Sequence, residues 1–568
     1  MTTRQMERWR HLSVLGVVLC LVLGTNCGAS DDGSSPAHGG YDPYDGVGGY
    51  ATGTGTGTVG TGGWMSTGGA PPEIEVESRF EAPIVTGEFL WSANPESNRI
   101  AVVDAATLEV KTLEAGFGAT YLAAVPMTDP DASAAIVLNI LADTATFFRI
   151  DHRQPEDPVT LPTHADANAW VVSPSGRWAV AWSDASRFGQ TDLPVQYVAP
   201  DPTEGFQDLT LLLLEPEDGA PRAYRRVAGY RPSRVSFDSD EGRLIVVSED
   251  GISVFDLTDE DDPEELDLVA VDFDAGVPDV EVTADGATAL VRQPGTSEIG
   301  FVDVATGEHS AVTLPGRVSD LDLSEDGSRA VAVMREMGQV AVIPVPGAAT
   351  DPASIDLVEV PGSFGSVSLD RKSTVGVLYT NAVPTSDVAI LGLEEGDDYL
   401  SLRQEQLHAP VRAVFLSPEG THAVALLDPP EGSTNLGAFG VVPTLQRFVP
   451  KTEGTHAPAT AVAVGPRECE FALVTVRDDH QPPYYGVHVV ALSTLQTDFI
   501  PLASPPLSTG IIGGDLCRGY VAQRHPEGRI TFIDFPVDLA DGTAPVPTAR
   551  TLTGFELAAR VIYPDDNE

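Results

Sequence analysis

Short runs in which apolar and polar residues alternate, with no sustained helical period, organise this chain from residue 77 onward. The most regular copy is 297–308 (SEIGFVDVATGE), where β-branched and aromatic positions lead to an aspartate and then to turn residues. The same layout returns at 99–108 (RIAVVDAATL), 251–257 (GISVFDL) and 529–535 (RITFIDF). Alternation at period two marks strands, and the Gly, Pro, Asp and Asn between them mark tight turns. A second recurring piece is an alternating strand closed by a turn that ends in glycine, where a positive φ is cheap. It appears as AWVVSPSG (169–176), RVSFDSDEG (234–242), DVEVTADG (279–286), DLDLSEDG (320–327) and AVFLSPEG (413–420), with looser copies at 366–372, 460–467 and 510–517.

Labelled A to D from the inside outward, these pieces make a four-stranded unit that recurs with a period in the forties. That pattern predicts an all-β fold, a β-propeller of four-stranded blades. Counting C strands gives about ten units, beyond the usual four to eight blades. One large ring, two rings or a few irregular units would each account for the number. The chain ends favour one ring. The first unit, 88–115, shows B, C and D strands with no A strand before them, and 556–564 (ELAARVIYP) reads as an isolated strand. A C-terminal strand completing the first blade is expected to close the ring and remove two open edges.

The repeat resembles the bacterial surface-layer type of propeller repeat, called YVTN after its consensus, in which a strand like SNRIAVVDAATLEV precedes an SPDG-like turn. The resemblance covers most of 88–564, with LWSAN (90–94) and LYTN (378–381) standing where the consensus tetrapeptide would be. It implies a fold and carries no shared chemistry.

Ahead of the repeats, Arg4, Arg8 and Arg10 precede an apolar run at 12–23 and then Gly24-Thr25-Asn26-Cys27-Gly28, the order of a secretory signal. The run is too short for a comfortable membrane span, and no later stretch reaches that length. Cys27 resembles the lipidated cysteine of bacterial lipoproteins, although Gly24 and Asn26 depart from the usual box; signal cleavage nearby without lipidation is the alternative. Residues 28–76 are rich in Gly, Ser, Thr and Asp, have nothing to bury, and are expected to act as a disordered tether. Gly55-x-Gly57-x-x-Gly60 matches a dinucleotide fingerprint only formally, since no strand precedes it and no helix follows. The expected organisation is a signal over 1–27, the tether over 28–76 and the propeller over 77–568, held at the cell envelope by a lipid anchor alone, on the outer-membrane, periplasmic or cell-surface side.

Acidic residues outnumber basic ones 83 to 33, for a net charge of −50. A surface so negative repels phosphate backbones and argues against nucleic acid as a partner. Cys469 and Cys517 fall at equivalent A–B turns of neighbouring units, and an exported chain is expected to join them in a disulfide.

In a propeller the B–C and D–A connections share one face, where ligands usually meet such scaffolds. The longest B–C connection, 183–207, carries Arg187, Phe188, Gln190, Tyr197 and Phe206. Another, 477–486, carries Asp478, Asp479, His480, Tyr484 and Tyr485, and a third is 428–435. Aromatic and polar groups mixed in this way suit a binding surface, or equally the packing of the loops onto the blades. Asp238-x-Asp240 and the run 259–262 offer oxygen ligands of the kind calcium takes, but neither has EF-hand spacing, and no cofactor is expected. No HExxH or Cys/His cluster suits zinc, and no Gly-x-Ser-x-Gly elbow or nucleophile–base set is present. The expectation is a non-catalytic module binding a protein, a glycan or an envelope component. The alternative, by analogy of fold alone, is a propeller enzyme of the lactonase, hydrolase or quinone-dependent dehydrogenase type.

Overall fold

Ten sheets follow one another along the chain, each an antiparallel meander of consecutive strands. The computed structural model describes residues 83–562 apart from positions 130, 189–196, 202–204, 217–218, 271–278, 397, 431, 446–447, 515, 526, 536–545 and 555–559. The expected signal, Cys27 and the expected tether therefore lie outside the described residues, as does Gln190. The sheets span 84–114, 119–162, 169–227, 234–270, 279–313, 320–359, 366–406, 411–455, 459–501 and 506–562, and are blades 1 to 10 of a propeller.

Blade 3 shows how burial follows strand position. Strand A, Ala169–Val172, alternates buried and partly buried residues; strand B, Trp178–Trp182, is buried throughout. Strand C, Asp208–Leu213, is buried after its first residue, and strand D, Arg222–Val227, has no buried residue. The middle strands meet a neighbouring blade on each face, so both sets of their side chains are apolar and the alternation seen in the outer strands disappears.

The turns are written into the sequence. In six A–B turns the side-chain oxygen of the first residue accepts the amide five residues on: Ser173 from Trp178, Asp238 from Arg243, Thr283 from Thr288, Ser324 from Arg329, Asp370 from Val375 and Ser417 from His422, at 2.7–3.1 Å. Gly176 in the first of these has φ +78°, and a Cβ there would lie 1.9 Å from Pro126 O. The aspartate that ends the C strands likewise caps the turn after it, Asp104 accepting from Ala106 and Thr107 and Asp303 from Ala305 and Thr306.

Ten apolar clusters hold the blades together, one at each junction. The one joining the last blade to the first sets Leu90, Ala101 and Val103 against Tyr520, Ile530, Phe532 and Leu552, which makes the array a single closed ring. Closure differs from the expectation in one respect. The C-terminal strand, Arg560–Ile562, does not complete blade 1; it pairs with Thr551–Thr553 on the outer edge of blade 10. Blade 1 has its own inner strand, Ile84–Thr86, too short to be recognised as alternating. Packing therefore closes the ring, assisted by Arg518 donating to Ala105 O and Tyr520 Oη to Pro83 O at 3.4 Å.

Cys469 and Cys517 are joined in a disulfide across the junction of blades 9 and 10, with Cα atoms 5.5 Å apart. Among the described residues no helix is long and apolar enough to cross a membrane.

Candidate functional site

The two loop groups singled out on the B–C face do not converge. One belongs to blade 3 and the other to blade 9, with blades 10, 1 and 2 between them. The blade 3 group packs its loop down. Phe188 and Phe206 have ring centroids 4.9 Å apart, Arg187 Nη1 donates to Asn168 O at 3.0 Å, and Tyr197 Oη donates to Asp166 Oδ1 at 3.0 Å. Burial first, then the Asp166 charge, pushes the Tyr197 phenol well above its ordinary value.

Below this loop lies a polar network that no motif announced. His164 Nδ1 is 2.8 Å from Thr210 Oγ1, its Nε2 is 3.3 Å from Ser183 Oγ, and Ser183 donates to Asp166 O at 3.0 Å. Burial pushes the His164 imidazole down to about 4, so it is neutral at physiological pH. A serine beside a histidine invites a nucleophilic reading. However, a threonine occupies the orienting position, and Ser183, His164 and Thr210 are each at most 3% exposed. The group ties the entry to blade 3 onto that blade's central strands.

The blade 9 group is presented outward. Strands Phe471–Asp478 and Tyr484–Ala491 are each eight residues long and remain paired as far as Asp478 and Tyr484, so the hairpin tip is strand-supported. Arg477 Nε and Nη2 bond Asp479 at 2.8 and 2.6 Å, and Tyr485 Oη donates to the same carboxylate at 2.9 Å. His480, with a side chain 95% exposed, rests on Asp478 at 2.6 Å. On the other face of the hairpin Tyr484 stacks near Phe499 at 5.7 Å, and His456 meets its edge at 6.0 Å. The third loop is tied back by Asp428, 3.8 Å from Arg412.

A further polar group lines the inner strands of blades 4 to 7. An A strand has a strand partner on one side only, which leaves edge N–H and C=O groups on the other. Here side chains of the neighbouring blade meet them. Arg234 donates to Val280 O at 2.8 Å and pairs with Glu281 at 2.7 Å. Arg292, bonded to Asp279 at 3.1 Å, donates to Ser319 O, also at 3.1 Å. Asp320 accepts the Val367 amide at 2.7 Å, and Asp322 accepts that of Leu369 at 3.1 Å. Burial pushes Asp320 up to about 6, and the Asp279 charge adds to the rise, against the Val367 amide and Arg292. Burial and then the Glu281 and Asp320 charges raise the Asp322 carboxyl well above its ordinary value. In the sequence, DVEV and DLDL look like ordinary half-solvated strands; packing against the neighbouring blade buries Glu281 and Asp320.

Because its folded pKa lies above its unfolded one, Asp320 binds its proton more tightly in the native state. Its contribution is complete below about pH 4 and is lost as pH rises through about 6. Asp320→Asn is expected to flatten the loss of stability across this window in urea titrations at pH 4, 5, 6 and 7. Parallel curves for the two proteins would rule the assignment out.

Three of the acids considered for calcium are engaged elsewhere. Asp238 caps its turn, Asp261 pairs with Arg222, and Asp262 bonds Arg226 at 2.8 Å. Among the described residues no group of three or more His, Cys, Asp or Glu is placed to hold a metal ion. A polar depression of about 190 Å³ on the opposite face is lined by Ser324, Asp326, Arg329, Lys372 and Glu394.

No protein-family model and no curated protein matches the chain. Solved structures similar to it include the dihydro-heme d1 dehydrogenase NirN in complex with DHE, at 14% identity over 65% of this chain and 72% of that one, with a TM-score of 0.37. Apo AztD from Citrobacter koseri matches at 13% identity over 64% of this chain and 93% of that one, also with a TM-score of 0.37.

Proposed function

We propose that this ten-bladed propeller is an exported lipoprotein with repeats of the surface-layer type, anchored through Cys27 and carried on the 28–76 tether. It acts as a non-catalytic binding module for a protein, glycan or other envelope component, through the face bearing the B–C loops. The observation that carries this reading is the blade 9 hairpin, whose strand-paired stem and Arg477–Asp479–Tyr485 brace place Tyr484 at the end of the stem and present His480 beyond it. A rigid aromatic and polar tip loses little conformational entropy on binding, which favours recognition. The disulfide accords with an oxidising compartment.

Two measurements test this. Cys27→Ala is expected to move the protein from the membrane to the soluble fraction, since stable attachment needs more than one acyl chain; unchanged fractionation would remove the anchor. A photo-cross-linker at position 480 is expected to give a discrete adduct in intact cells, while one at position 371, on the opposite face, does not. Equal labelling at both positions would count against a dedicated face.

A further inference from the structure

In a chain with 83 acidic and 33 basic residues, a half-buried arginine without a carboxylate is unexpected. Arg529, at the start of strand C of blade 10, is in that position. Its Nη1 donates to Ser504 Oγ at 2.8 Å, and its Nε is buried with no acceptor. The shelf beneath it is built of buried polar groups: Gln523 Oε1 accepts the Ser504 amide at 3.3 Å, and Gln523 Nε2 donates to Thr531 Oγ1 at 2.6 Å. Ser504, Gln523 and Thr531 are 8%, 5% and 2% exposed.

The register shows which way this group faces. Gln523 opposes Arg529, and Val521 and Ile533, farther along the same side of the sheet, pack in the cluster between blades 9 and 10. Tyr485 of the blade 9 hairpin packs there too, and Arg477 opposes it in the sheet. The acid on this side of the hairpin is already engaged. Burial works to raise the Asp479 carboxyl, yet bonds from Arg477 and Tyr485 and the charges of Arg477 and Arg524 hold it below its ordinary value. Asp478 is occupied by His480, and Glu527 lies exposed in the adjacent turn, its amide on His525 Nδ1 at 3.2 Å. Burial lowers the Arg529 guanidinium, and no acid offsets that effect.

We propose that the B–C face of the blade 9–10 junction binds an oxyanion, a carboxylate or phosphate group, with Arg529 as its ligand. The proposal rests on the binding-face reading above and names the chemistry its partner carries. A guanidinium fixed on a polar shelf offers parallel donors to two oxygens of such a group. The strongly negative remainder of the surface disfavours anions elsewhere, which makes this junction selective.

Calorimetric titration of the full-length protein with inorganic phosphate and, separately, with glucuronate tests it, the ionic strength being held constant with sodium chloride. One saturable site is expected. It should weaken roughly tenfold to hundredfold in Arg529→Gln and stay unchanged in Arg467→Gln, an exposed arginine on the opposite face. Arg529→Lys, which keeps the charge but not the fork, should fall between them and decides the matter if Arg529→Gln does not fold. A response to phosphate alone assigns a phosphorylated partner, and one to glucuronate alone an acidic sugar or peptide. No saturable heat from either anion, or equal affinity in natively melting Arg529→Gln, overturns the site. In that case, a persistent cross-link from position 480 would leave the binding-face reading standing.

Discussion

Phe532→Ala is expected to lower the free energy of unfolding by about 3–5 kcal/mol, the usual effect of truncating a fully buried aromatic, and to loosen blades 1 and 10 before any others. Phe532 is 1% exposed in the cluster that joins the last blade to the first. Every other junction is also bridged by continuous chain; this one is held by packing and a few hydrogen bonds. A cavity there should therefore permit local opening as well as reduce global stability. Hydrogen exchange measures this directly, with Phe255→Ala at the junction of blades 3 and 4 as the comparison. Both variants should unfold at lower urea, but only Phe532→Ala should speed exchange selectively in 84–114 and 506–534. The same exchange pattern in both would mean that the last junction is no weaker than the rest.

Breaking the Cys469–Cys517 bridge should have an effect of similar size. The two cysteines are 48 residues apart, and closing a loop of that length stabilises by about 4 kcal/mol in the chain-entropy model. Cys517→Ser is the better variant, because Cys517 is partly exposed whereas Cys469 is 1% exposed, and its loss would leave a cavity as well. A reductant should lower the urea midpoint of the natural protein and leave that of Cys517→Ser unchanged. If the natural midpoint is indifferent to reduction, the bridge contributes nothing to stability. The bridge lies on the A–B face of the blade 9–10 junction and Arg529 on the B–C face, so the disulfide also helps fix the spacing of the proposed oxyanion site.

The repeat made the fold legible. Strand alternation, the aspartate after strand C and the Ser-x-x-Gly turn are local devices, each stabilised by contacts within a few residues, and so they appear as patterns along the chain. The pairing of Cys469 with Cys517 was legible for the same reason, since equivalent positions in adjacent repeats are brought together by the repeat itself. The first inner strand was missed because three residues, Ile84–Thr86, are too few to show a period. The expected role of the C-terminal strand was wrong because adding to the outer edge of blade 10 and completing blade 1 ask the same of a lone strand; the choice depends on what lies beside it in space.

The candidate sites divide along the same line. Sequence placed His480 in a B–C loop correctly, because loop position follows from strand order, whereas Tyr484, expected in the same loop, opens strand C and pairs with Asp478. It could not separate a loop packed down by Phe188 and Tyr197 from a hairpin held outward. It was also silent on Asp320, Asp322, His164 and Arg529, whose character is set by neighbours roughly twenty to fifty residues away in the chain. By itself, then, the sequence determined the strand order and the turns, gave a count of about ten repeats and pointed to the disulfide, all of which rest on short-range chemistry or on repeat equivalence. Only the closed ring decided how its ends meet, which acids are buried and that Arg529 stands without a paired carboxylate, because burial and charge compensation depend on the neighbouring blade.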